Sequence, residues 1–217
     1  MKLLIYTHKI TPRVRYVFKH ICTRILGVQV DFTSVIEEFI AHQGLKLSYA
    51  KQPLGKELFI QSHYLLFEEG VSDIDISIKN WNDTKCFFIC GSKSSLPFDI
   101  FAASFYLLSR YEEYLPYVAD EYGRFPPEES IAYQYHFLKE PVIDIWAYKF
   151  KAVLQDQFID YVFPNKEFEL KPVIDVPVAY KYSHKGLVRS IGGIFKDFFN
   201  FNFSEIYSRS LVLFKLR

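Results

Sequence analysis

Between residues 3 and 32 the sequence passes from a short apolar stretch, through a helical pattern, to an alternating stretch. That order constrains the fold more than any other feature of the chain. Residues 3–6 are apolar and bounded by polar neighbours, as in a buried strand. Thr11-Pro12 then opens a helix, with Thr11 as N-cap and Pro12 at the first helical position, where its missing N–H is no loss. Val14, Val17, Phe18, Ile21 and Ile25 follow helical spacing, and Gly27 supplies a left-handed cap. Residues 28–32 alternate as a second strand. Strand, helix and strand within about thirty residues make a βαβ unit. Half of the 217 residues are hydrophobic, so there is ample material for a core, and disorder is excluded for most of the chain.

The rest of the sequence extends the same pattern. Ser34 and Glu37 form a capping box for a short helix through Ala41. Residues 45–49 and 58–67 read as strands, with Pro53-Leu54-Gly55 turning between them. Residues 73–78 alternate strictly, with Ile74, Ile76 and Ile78 inward and Asp73, Asp75 and Ser77 outward, as in an edge strand guarded by charge. Residues 86–90 form an apolar strand and residues 91–95 a loop. A helix over 98–115 follows, with Phe101, Phe105 and Leu108 as its buried stripe and Pro116 as its stop. Residues 120–129 are a polar loop, and a helix over 144–155 buries Trp146, Phe150, Val153 and Leu154. The polar connector 164–171 is the candidate boundary. The expected fold is α/β, a mixed sheet with packed helices over residues 1–165, followed by an incomplete second domain over 172–217.

Charge and cysteine usage narrow the setting. A formal net charge of +1 gives no argument for nucleic acid, although residues 1–30 and the segment after Tyr182 are locally basic. Cys22, Cys86 and Cys90 are odd in number and match no metal spacing, so a reducing compartment is expected. The N-terminal apolar run is too short for a signal peptide, and no run approaches a membrane span. The cytoplasm is the expected location.

Two motifs invite chemistry and do not sustain it. Gly91-Ser92-Lys93-Ser94 lies between a strand and a helix, like the end of a phosphate-binding loop. However, Cys86 stands where the first glycine belongs, and Ser92 separates Gly91 from the lysine. The six histidines include no pair at i, i+4 that could hold a metal. A stronger candidate is Ser109-Arg110-Tyr111-Glu112-Glu113-Tyr114 with the following residues 120–125. Arg110 can pair with Asp120, Glu121 or Glu113, and Arg124 brings a second guanidinium near. One reading is an ion-pair network tying loop to helix. The other is a polar pocket for a sugar, bound by Arg110, Glu113, Arg124 and Tyr114, with Tyr111 and Tyr122 as further stacking surfaces.

Three stretches, LLIYTHKITPRVRY at residues 3–16, LPFDIFAASFYLLSRYEEY at 96–114 and PVIDIWA at 141–147, resemble the N-terminal region of bacterial polysaccharide deacetylase-like proteins. In that family a domain of unassigned function precedes a deacetylase domain of the carbohydrate esterase family 4 type. The resemblance implies that KPVIDVPVAY at 171–180 begins a β/α-barrel-type catalytic domain, with Asp175 at the position of the catalytic base. A second acid, which binds the divalent, zinc-like metal in the family, is expected beside Asp175 or two residues on. This sequence has Val176 and Pro177 there, and the family's downstream histidine pair is absent. Only about forty-five residues follow Pro172, against about 200 or more for a barrel. The chain itself is therefore expected to bind no metal and to be catalytically incomplete.

The tail over 187–217 carries more apolar side chains than two helices bury on themselves, among them Ile191, Ile194, Phe195, Phe198, Phe199 and Leu211. They pack either on the missing C-terminal domain, as an intramolecular partner, or on an anionic membrane surface. Lys185, Arg189, Lys196, Arg209, Lys215 and Arg217 would supply the cationic face for the second. Gly192-Gly193 and the asparagines at 200 and 202 interrupt the helix and favour the first. The expected function is an accessory, substrate-positioning domain for hydrolysis of N-acetyl groups on a glycan. The alternative is a non-catalytic interaction or membrane-surface module.

Overall fold

The computed structural model describes residues 2–164, 167, 169–176, 182 and 186–214. They fall into two compact units, Met1–Glu167 and Phe168–Arg217. In the first unit, β1 (Lys2–Tyr6), β2 (Gln29–Thr33), β3 (Lys46–Ala50) and β4 (Leu58–Gln61) form one parallel sheet in the order β2-β1-β3-β4. A short hairpin of β5 (Lys79–Trp81) and β6 (Thr84–Cys86) is the separate antiparallel element. The fold is α/β.

The first helix forms for the local reasons its sequence carries. In α1 (Pro12–Phe18) the Thr11 hydroxyl accepts the Val14 N–H at 3.1 Å, and Gly27 closes the helical run at φ +74°. From Lys19 to Ile25 the run widens into a π-helix, a form usually confined to a single turn. Its apolar face meets the sheet and α3 (Ile100–Leu108): Phe18 stacks on Phe101 at 3.6 Å and meets Tyr49 edge-on at 5.2 Å. The short α2 (Ile36–Ala41) covers the other face, with Phe39 against Tyr6 at 5.6 Å. Lys46 donates to the carbonyls of Phe39, Ile40 and His42, closing the end of α2. After α4 (Ile131–Gln134), α5 (Val142–Gln157) packs across α3, and its buried Trp146 donates to the Lys85 carbonyl at 2.9 Å.

Several expectations need correction. The box at Ser34 does not form; Thr33 accepts the Val35 N–H and donates to Glu38 instead. Residues 73–78 keep their alternation, with Ile74 buried and Asp73 and Asp75 exposed, but they are irregular because no described strand lies beside them. The strand expected over 58–67 ends at Gln61, and a 3-10 turn at Tyr64–Leu66 follows. The strand expected over 86–90 stops at Cys86, since Phe88 takes a left-handed φ of 60°. The helix expected over 98–115 stops at Leu108, well before Pro116.

In the second unit, α6 (Leu187–Phe199) and α7 (Phe203–Leu213) form a helical hairpin. The strand expected from Pro172 does not form among the described residues. Residues 169–176 are irregular and solvent-exposed, with Val173 and Ile174 bare.

Candidate functional site

In an open parallel sheet, the default ligand crevice lies beyond the carboxyl ends of the strands where the strand order reverses, here between β1 and β3. Residues 62–70 fill that place. The Thr11 hydroxyl donates to the Leu66 carbonyl at 2.5 Å, Arg13 donates to the carbonyls of Leu65 and Gly70, and Phe67 lies against His8 and Tyr49. Leu65 and Leu66 are fully buried. Nearby, burial lowers the pKa of His63 to about 4 and pushes the Cys90 thiol up to about 12. At neutral pH these values correspond to an uncharged imidazole and an un-ionised thiol.

Asp99 sits beneath this plug and anchors α3. One carboxylate oxygen accepts the N–H groups of Phe101 and Ala102, each at 3.0 Å. The other accepts the Tyr49 hydroxyl at 2.6 Å and the His63 N–H at 2.7 Å. Burial raises its pKa to about 6, against the pull of all four donors. A buried acid satisfied on every side is a structural bolt. It fixes the start of α3 and so the position of its far end.

That far end builds the candidate site. Arg110 turns left-handed at φ 52° and its N–H closes on the Leu107 carbonyl at 3.2 Å, redirecting the chain into a 3-10 turn at Tyr111–Tyr114. Tyr111 enters the core, where its hydroxyl accepts the Ser72 N–H at 2.9 Å and donates to the Ser72 carbonyl. Glu112 accepts the Ile131 N–H at 2.8 Å, holding the start of α4. Burial raises the Glu112 pKa, against the Ile131 bond, and neighbouring Glu113 adds to the rise. Glu113 forms an ion pair with Arg110. A cleft of about 480 Å³ lies between this turn, α4 and the start of α5. Leu107, Phe125, Phe137 and Val142 give it apolar walls, and Glu112, Glu113, Glu140, Asp144 and Arg110 give it charge.

The structure therefore brings Arg110 and Glu113 together on one cleft and leaves the other expected residues outside it. Arg124 is held by Asp120 at 3.0 Å and stacks on Tyr122 at 4.6 Å, a clasp within its own loop. Bonds from Arg124 and Tyr122 hold the Asp120 carboxyl below its ordinary range. Tyr114 is 70% exposed and does not line the cleft, and Tyr111 is a core residue rather than a stacking surface. Glu140, Asp144 and Phe137 were not expected. They lie on later elements, and only the packing of α5 brings them alongside α3.

Asp175 lies in the exposed, irregular segment of the second unit, and Pro177 lies outside the described residues. Among the described residues no three His, Cys, Asp or Glu side chains gather as metal ligands. The described residues do not fit the divalent metal that the deacetylase resemblance implies, and no chemical step is derived through one. Also among the described residues, no helix is long and apolar enough to cross a membrane.

No curated protein and no solved structure matches the chain. A family model described as a family of unknown function, DUF7033, matches residues 3–159, and the chain belongs to that family. The match carries no deacetylase assignment, so the likeness to polysaccharide deacetylase-like proteins rests on the quoted residues alone.

Proposed function

We propose that the first unit is a glycan-binding accessory domain whose cleft at the end of α3 positions a hydroxylated ligand. The observation that carries this reading is the composition of the cleft. Carboxylates of Glu112, Glu113, Glu140 and Asp144 accept hydrogen bonds from hydroxyls, Arg110 donates, and Phe125 offers apolar surface to a sugar ring. Four acids against one guanidinium oppose anionic glycans and favour neutral sugars or sugars bearing free amines. The deacetylase-like residues at 96–114 and 141–147 support placing such a domain beside a catalytic domain that removes N-acetyl groups. This chain supplies binding in that arrangement; the hydrolytic step belongs to the neighbouring domain.

Calorimetric titration with chito-oligosaccharides, fully acetylated, partly deacetylated and sulfated, tests the reading. Binding of the first two and rejection of the sulfated form is expected. Equal binding of the sulfated form, or no binding of any, would remove the reading.

A further inference from the structure

The second unit is built inside out. Where α6 meets α7, an ion pair is enclosed: Arg209 donates to Asp197 at 2.6 Å, and both side chains are largely buried. Gly193 is the residue that lets this pair form, because a Cβ there would collide with the Arg209 guanidinium. Ser190 is buried on the same side of α6, three residues from Gly193 and seven from Asp197, which is the spacing of one helix face. The apolar residues fall on the opposite face. Val188, Ile191, Phe195, Phe198 and Phe199 line one stripe of α6 and are between 53% and 87% exposed. Phe201 and Phe203 are exposed at the tip of the hairpin. Such a hairpin stands in water with its ion pair hidden and its phenylalanines bare.

From this arrangement we infer that the α6–α7 hairpin is a peripheral membrane anchor that lies in the interface of an anionic lipid surface. Helical spacing puts Arg189 and Lys196 along one border of the phenylalanine stripe, where long cationic side chains reach headgroups while their stems lie along the apolar surface. After Tyr180 the sequence carries seven Lys and Arg against Asp197 and Glu205. Asp197 and Arg209 cancel each other, which leaves six Lys and Arg against Glu205 in that stretch of sequence. An anionic surface matches the cations that border the stripe, which a neutral, purely apolar protein face would leave unpaired. The hairpin lies within the interface plane and does not span it; α6 is 13 residues long, short of a span. This inference is independent of the glycan cleft.

The test is co-sedimentation of the full chain with vesicles of phosphatidylcholine alone and of phosphatidylcholine with phosphatidylserine. Wild type should bind the mixed vesicles and not the neutral ones. The double variant Phe195→Ser, Phe198→Ser should lower the bound fraction at least about tenfold, because two rings leave the apolar phase. Arg189→Glu with Lys196→Glu should release the chain by charge alone. Absence of binding, equal binding to neutral vesicles, or unchanged binding by the serine variant would overturn the proposal. So would a melting temperature lowered by the serine substitutions, which would place the stripe in an internal contact. A wild-type dimer that these substitutions convert to monomer would assign the face to self-association and overturn it as well.

Discussion

The Tyr49 hydroxyl donates to Asp99 at 2.6 Å across fifty positions of sequence, joining the third sheet strand to the first turn of α3. This bond links the fold to the cleft, because Asp99 caps the start of α3 and Arg110 follows two residues after its end at Leu108. Tyr49→Phe removes one donor from a buried carboxylate. It should destabilise the protein by about 1.5–3 kcal/mol, the range for a hydrogen bond to a charged group. It should also move the Asp99 pKa above its value of about 6. Urea unfolding and a carboxyl-carbon NMR titration measure both; an unchanged midpoint and an unchanged titration would show that the bond holds nothing.

Asp99 and His63 work against each other in acid. The Asp99 carboxyl titrates at about 6 in the folded chain and near 3.8 when unfolded, so the folded state holds the extra proton between those values. Its contribution falls as pH rises through that window. His63 titrates at about 4 folded and near 6.5 unfolded, so the unfolded state holds the extra proton, and its contribution is lost as pH falls from 6.5 towards 4. The stability of wild type minus that of His63→Gln should therefore grow as pH is raised from 4 to 6.5. Paired unfolding curves across that range measure it, and a flat difference would refute the assignment.

Arg110 holds a left-handed backbone that an L-residue adopts at a penalty of about 1–2 kcal/mol. Its ion pair with Glu113 is exposed on the arginine side and offsets at most about 1 kcal/mol. Arg110→Gly should therefore leave stability unchanged or slightly raised while weakening glycan binding. Loss of stability in a thermal melt, with binding intact, would make Arg110 a structural residue alone.

Gly27 is a sterner position. It sits at φ +74°, and a Cβ there would approach Pro164 to 3.3 Å. Gly27→Ala should destabilise the first unit by about 1–2 kcal/mol. Wild-type stability in a denaturant melt would show that the end of the helical run tolerates an ordinary residue.

What could be read from sequence was local. Thr11, Pro12 and Gly27 announce the limits of the first helical run because capping and left-handed closure depend on adjacent residues. The alternation at residues 73–78 reported which side chains face the core, but a strand also needs a neighbour, and that lies outside any local pattern. Nothing in Ser109-Arg110 marks a left-handed residue, as glycine or asparagine would, so the local pattern continues past the helix end at Leu108. Arg110 and Glu113 were visible as a pair near a helix end because they are three residues apart. Glu140 and Asp144 join them only through the packing of α5, and the bolt at Asp99 depends on Tyr49 in β3 and on His63 just past β4, both distant in sequence. The hairpin is half legible, as surplus aromatic residues; the Arg209–Asp197 pair behind it joins two helices and leaves no local pattern.

The central claim is that the cleft at the end of α3 binds a glycan. Its most direct measurement is a two-dimensional NMR titration of the wild-type chain with a chito-oligosaccharide, with Arg110→Ala and Glu113→Gln in parallel. The account predicts shifts confined to residues around Arg110, Glu113, Phe137 and Val142, saturable in wild type and weakened in both variants. Shifts that map elsewhere, or that persist unchanged in both variants, would contradict it.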